Sequence, residues 1–218
     1  MCTNFALIKK DGTTQLADRL KVDPEQFIYG SDIGPGAKIS IVVERDGIRQ
    51  VKTAIWWLYL QQTEQGLRPH RDYFSVNSNY AKLPKRPEYK THRCIVPATL
   101  IVESQDGKNP HLLEPADGSA FALGGLWKEW VDKTSGEVVN SASVITLPGH
   151  AALQNIHRKS MPLWLPESDY NRWLDQQQTD TAVFADLLEP ALRTDLKATP
   201  IDKSRTKQAI GESFLISA

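Results

Sequence analysis

Between residues 38 and 147, short runs of β-branched and apolar residues are interrupted by turn signals too closely spaced for long helices. Lys38 to Glu44 alternates into Asp46-Gly47, a hairpin signal, and Ile48 to Leu60 runs back. Tyr73 to Asn77 and Cys94 to Glu103 are predicted strands. Gly107, Asp117-Gly118 and Thr134-Ser135-Gly136 separate His111-Leu112-Leu113, Phe121 to Trp130 and Val138 to Leu147 into a meander. Ahead of this series, Phe5 to Lys10 is a predicted strand closed by Asp11-Gly12. Helical patterns flank it: Thr14 to Val22, Ala151 to Ile156, Pro166 to about Asp175 with proline and acids in the first turn, and Thr181 to Leu192. Lys82 to Pro87, with two prolines, is the expected exposed loop. The pattern predicts an α+β fold with a mainly antiparallel, folded-over or barrel-like sheet core and peripheral helices, in one domain over residues 1–218.

Charge narrows the function classes. Lys and Arg number 26, Asp and Glu 26, so the formal charge is zero, which argues against binding driven by a polycationic tail. The signs are nonetheless segregated. Residues 82–93 carry Lys82, Lys85, Arg86, Lys90 and Arg93 against Glu88, and residues 193–207 carry five basic side chains against Asp195 and Asp202. Residues 164–190 carry six acids against Arg172 alone. Two basic stretches set against an acidic helical region suit a narrow strand channel. With no long apolar run and no leader-like start, a cytoplasmic protein without membrane contact is expected. Two cysteines make no disulfide framework, and His70, His92, His111 and His150 have no metal-site spacing, so no metal is expected.

Cys2 carries the most chemical information. Loss of Met1 would leave a 1,2-aminothiol, whose amine forms a Schiff base with an aldehyde and whose thiol can close it into a thiazolidine. Glu103 ends an apolar run, Cys94 to Val102, where a carboxylate is unexpected; buried, it would titrate near neutrality, and solvated at the strand end it would be ordinary. His157 stands at a helix junction before Arg158-Lys159-Ser160-Met161-Pro162, with a ring suited to acid or base work. Asn77 and Asn79 could orient a reacting group or make a turn. Trp56-Trp57 could stack bases, although core packing suits at least one of the two indoles.

In their order along the chain, these residues resemble the SRAP family, the SOS response-associated peptidases that shield abasic sites. Met1-Cys2-Thr3-Asn4-Phe5 is similar to the family's M-C-G-R-F, Trp56-Trp57-Leu58 to W-G-L, and Val76-Asn77-Ser78-Asn79 to the N-A-R segment. Arg93-Cys94-Ile95-Val96-Pro97-Ala98 followed by Glu103 resembles R-C-I-I-P-A-x-G-F-Y-E-W, Gly125-Leu126-Trp127 the A-G-L-W segment, and His157 with Met161-Pro162 the H-x-R-M-P motif. The resemblance implies self-removal of Met1, then attack by Cys2 on the open-chain aldehyde of an abasic deoxyribose in single-stranded DNA, with Asn77 orienting, Glu103 exchanging protons at the amine and His157 serving the sugar hydroxyl. It implies DNA contacts by Trp56, Trp57, Asn79, Lys90, Arg93, Arg158, Lys159, Met161 and Pro162, association with the nucleoid at damaged DNA, a monomer, and no cofactor. The departures fall on DNA contacts: Asn4 and Asn79 stand where the family has phosphate-holding arginines, Trp57 replaces a glycine, and the interval from His157 to Met161 is one residue longer. Two other readings remain: an N-terminal-nucleophile amidohydrolase, with the α-amine as base, and a non-catalytic single-strand binding module.

Overall fold

A computed structural model describes residues 3–105 and 107–218. In chain order the strands and helices are β1 (Phe5–Leu7), α1 (Asp11–Leu20), β2 (Gly30–Ile33), β3 (Lys38–Arg45), β4 (Ile48–Trp56), β5 (Leu60–Thr63), β6 (Gly66–Pro69), β7 (Asn77–Asn79) and α2 (Pro87–Thr91). They continue as β8 (Arg93–Ala98), β9 (Leu100–Gln105), β10 (Lys108–Pro115), β11 (Phe121–Val131), β12 (Val138–Pro148), α3 (Gln154–His157), β13 (Ser160–Pro162), α4 (Tyr170–Leu174), β14 (Leu196–Pro200) and β15 (Phe214–Ile216).

Five strands close a barrel in the order β11-β8-β3-β4-β12, because β12 pairs back onto β11. Four of its five seams are antiparallel and β4–β12 is parallel; β13 and β7 extend it from β12, and β7 also runs parallel. The β3–β4 hairpin turns on Asp46 and Gly47, with φ of 54° and 74°, the left-handed pair a two-residue turn needs to match strand twist. The barrel strands are buried on both faces: Ile39, Ile41, Trp56, Trp127 and Val144 share one face, Val42 and Ile95 the other, and all are 1% exposed or less. At Gly125, where β8 and β12 both flank β11, a Cβ would lie 2.7 Å from the Ser143 carbonyl oxygen, so any larger residue would separate the seam. A second sheet, antiparallel throughout, runs β15-β14-β10-β9-β1-β2. The expected mainly antiparallel, barrel-like core with peripheral helices is thus the observed fold.

Five local departures from the expected pattern stand out. The expected strand from Cys94 to Glu103 is two strands in two sheets. It breaks at Thr99, whose N–H and hydroxyl both donate to the Ala6 carbonyl while its oxygen accepts the Ile8 N–H. Tyr73 to Val76 is not a strand; only Asn77–Asn79 reaches the ladder, beside Val144 to Thr146 of β12. Asp11-Gly12 opens α1 rather than closing a strand. Near the C-terminus, Thr181–Leu188 winds as a 3₁₀-helix, capped by Asp180, in place of the expected longer helix. Lys82 to Pro87 is not a plain loop, since Tyr80–Lys85 is a 3₁₀-helix that Asn79 caps. Among the described residues, no helix is long and apolar enough to cross a membrane.

Candidate functional site

The break at Thr99 decides where Glu103 goes. After it, β9 lies between β1 and β10, with Phe5 opposite Ile101 and His111 opposite Glu103. Strand alternation puts Glu103 on the same face as fully buried Ile101, and the carboxylate is only 4% exposed. Burial drives its pKa up to about 7, because a carboxylate in a low-dielectric setting loses the water that favours its charged form. Glu103 is therefore not the solvated strand end that spacing alone would favour. On the β1 side, the Val102 N–H donates to the Asn4 carbonyl at 2.9 Å, so the first described residues run directly along the strand that carries Glu103.

His157 closes over this carboxyl from α3. Its Nδ1 lies 2.7 Å from the Ser104 carbonyl oxygen and 3.9 Å from Oε2 of Glu103, and its Nε2 lies 3.2 Å from the Ser160 hydroxyl. A carbonyl only accepts, so Nδ1 carries a proton; in the neutral ring Nε2 then accepts from Ser160. The chain on either side of α3 is tied down twice. Arg158 donates its N–H to Oε1 of Gln105, and at Gly149 a Cβ would fall 2.0 Å from the Arg158 carbonyl oxygen, an approach only glycine allows. Asn77 opens β7 opposite Val144 and is half-buried between Val76 and Ser78, whose hydroxyl bonds Ser143 at 2.7 Å. A carboxyl poised near neutrality beside an oriented imidazole can move protons in either direction at a reacting amine or hydroxyl. Among the described residues, no cluster of His, Cys, Asp and Glu has the makings of a metal site.

The remaining candidates divide by burial. Cys2 lies outside the described residues. Trp56 is fully buried, packed edge-on to Phe5 at 4.8 Å with its indole N–H donated to the Val76 carbonyl, so no base can stack on it. Arg93 is 1% exposed and donates to the backbone carbonyls of Tyr89, Lys90, Trp173 and Asp175; it binds the chain's own backbone, not phosphate. Met161 and Pro162 are buried in β13 against Leu147 and Thr146 and offer DNA no face. Trp57 is half-buried, meeting Phe74 edge to face at 4.9 Å. Asn79, Lys90, Arg158 and Lys159 are exposed, Asn79 with its side-chain Oδ1 accepting the Ala81 N–H.

Sequence reasoning missed three groups. Ser160 was visible in principle, three residues beyond His157. The Ser104 carbonyl that orients the imidazole was not, because backbone groups have no sequence signature. Nor was Asp32, which accepts from Asn4 at 2.7 Å and from Lys207 at 2.9 Å, joining the start of the chain to its distant basic stretch.

Similarity to known proteins follows the same outline. The abasic site processing protein YoqW of Bacillus subtilis is 25% identical over 134 residues, covering 58% of this chain and 59% of that protein. The abasic site processing protein YobE of the same organism is also 25% identical over 134 residues, with 58% and 60% covered. The matched segment thus spans less than two thirds of these relatives. A crystal structure of a protein from Bacteroides thetaiotaomicron shares the fold with a TM-score of 0.73 at 19% identity, over 96% of this chain and all of that one. The model of one family, SOS response associated peptidase (SRAP), matches residues 1–207, and this chain belongs to that family.

Proposed function

We propose that this protein processes abasic sites in single-stranded DNA by covalent capture through Cys2. Hydrolysis of the Met1–Cys2 peptide bond, which consumes one water, frees the α-amine. That amine adds to the C1′ aldehyde of the ring-opened deoxyribose and water departs, giving a Schiff base. The thiol then adds to the imine carbon, its proton passes to nitrogen, and a thiazolidine results. Glu103, half-protonated near neutrality, delivers the proton that the departing hydroxyl needs and recovers one from the amine. His157 serves the sugar hydroxyl during ring opening, and Asn77 orients the amine. Trp57, Asn79, Lys90, Arg158 and Lys159 line the approach of the strand, with the cations at phosphates.

The observation that carries this reading is the buried Glu103 carboxyl beside His157, on the strand along which the start of the chain runs. The family and the names of the curated relatives support DNA with abasic sites as the substrate class. The experiment is incubation of the processed protein with single-stranded DNA containing one abasic site, followed by a denaturing gel and intact-mass analysis. A shifted band absent in Cys2→Ala is expected. No adduct from protein whose mass shows Met1 removed would overturn the proposal, and rapid thioester formation with a small amide would favour an amidohydrolase instead.

A further inference from the structure

A cleft outside the Glu103–His157 corner combines aromatic walls with surrounding cations. Tyr59, Leu60, His70, Tyr73 and Trp130 line a space of about 340 Å³, within the range of small-molecule pockets, ~300–1,000 Å³. Its walls are held in place. The Tyr59 hydroxyl accepts from Arg86 at 2.6 Å, the Trp130 indole donates to Ser141 at 2.8 Å, and His70 accepts the Asp72 N–H on Nδ1. His70 and Tyr73 meet edge to face at 4.7 Å, yet Tyr73 leaves 61% of its surface to solvent. The Arg86 guanidinium lies 5.3 Å over the Tyr59 ring, and the stretch from Arg68 to Lys90 that supplies His70 and Tyr73 carries six basic side chains against Asp72 and Glu88. Lys128 stands 4.9 Å over the Trp130 ring while paired with Glu88 at 3.4 Å.

We propose that this cleft is an accessory stacking subsite for an unpaired base of the single-stranded DNA that flanks the lesion. Every base has a π-face, so preorganised rings capture one without reading its sequence, and the basic surround complements the phosphates on either side. Position supports it: Tyr73 and Asn77 are four positions apart, so the two Cα atoms lie within ~14 Å, a span of a few nucleotides at ~3.4 Å per stacked base. The inference rests on the proposed function for its ligand and extends it away from the reacting groups.

Tyr73→Ala is the test, because the ring is exposed and its removal leaves the fold intact. An unmodified oligothymidylate of roughly ten nucleotides is the probe, with affinity read by fluorescence anisotropy. Tyr73→Ala should weaken binding ~5- to 150-fold, the loss of one stacked base. Tyr73→Trp should restore it, and adduct yield on a very short abasic oligonucleotide should not change. Unchanged oligothymidylate affinity would overturn the subsite, as it must if the cleft takes an apolar peptide instead. Failure of the capture chemistry is read separately, by wild-type protein giving no adduct on the short abasic substrate.

Discussion

Arg93 and Glu103 lie on consecutive strands of one motif, are both buried, and carry opposite formal charges, yet burial has different consequences for them. Arg93 gives its guanidinium protons to four backbone carbonyls, and although burial lowers its pKa to about 10 it stays charged at neutral pH. Its charge is absorbed by structure: it ties α2 and the end of α4 to the start of β8. Burial lifts Glu103 to about 7, so its charge is undecided at the pH where the protein works. A buried charge met by backbone dipoles on all sides reads as scaffold, and one that burial leaves near its titration point reads as chemistry.

The largest expected effect separates the two on rate. Glu103→Gln keeps the shape and removes the titration, so adduct formation on abasic DNA should slow ~10²- to 10⁴-fold, the usual worth of a positioned acid–base group, with oligonucleotide affinity largely kept. Equal loss of rate and affinity would move Glu103 to a binding role and break the comparison. Arg93→Ala should act on stability: four carbonyls lose their donor, and at ~1–3 kcal/mol for each buried group left unsatisfied a loss of at least about 3 kcal/mol is expected in urea unfolding. Adduct formation by the protein that remains folded should be unaffected. An Arg93 variant that is stable but binds DNA poorly would return the guanidinium to the interface.

A smaller effect lies in the pH dependence of stability. The folded state holds the Glu103 proton up to about pH 7, whereas a solvated glutamate releases it near pH 4.5. Between those values the folded form binds more protons than the unfolded, so stability falls as pH rises through the window. Glu103→Gln should flatten that slope in unfolding curves measured from pH 4 to pH 8; an unaltered slope would mean that the carboxyl is not buried in solution. Smallest is Ser160→Ala, which removes the hydroxyl at Nε2 of His157 and should cost about 0.5–1.5 kcal/mol, read as a several-fold slower adduct step. The Ser104 carbonyl still orients the ring in that variant.

Legibility in the sequence followed the range of the interaction. The β3–β4 hairpin was readable because Asp46-Gly47 meets a local requirement for two positive φ angles. The strands of β11 and β12 were readable from composition and the turns between them. The break at Thr99 was not, because it is made by Ala6 and Ile8, more than ninety residues away. Among site candidates, residue type and order singled out Glu103, His157 and Asn77, while the same reasoning enlisted Trp56, Arg93, Met161 and Pro162 as DNA contacts, although all four are interior. A tryptophan or an arginine has the same letter whether it faces a strand of DNA or its own backbone.

By itself the sequence determined the strand-rich plan with its hairpin punctuation, the segregation of charge beneath a net of zero, and the side chains able to do chemistry, since each depends on residue type and near neighbours. Only the tertiary structure decided which of those side chains meet, which are interior, and which protonation state is close at hand. A pKa or an accessible face is set by desolvation and by groups brought together through space. Glu103 owes its poise to burial on β9 between β1 and β10, strands brought together from opposite ends of a hundred-residue stretch.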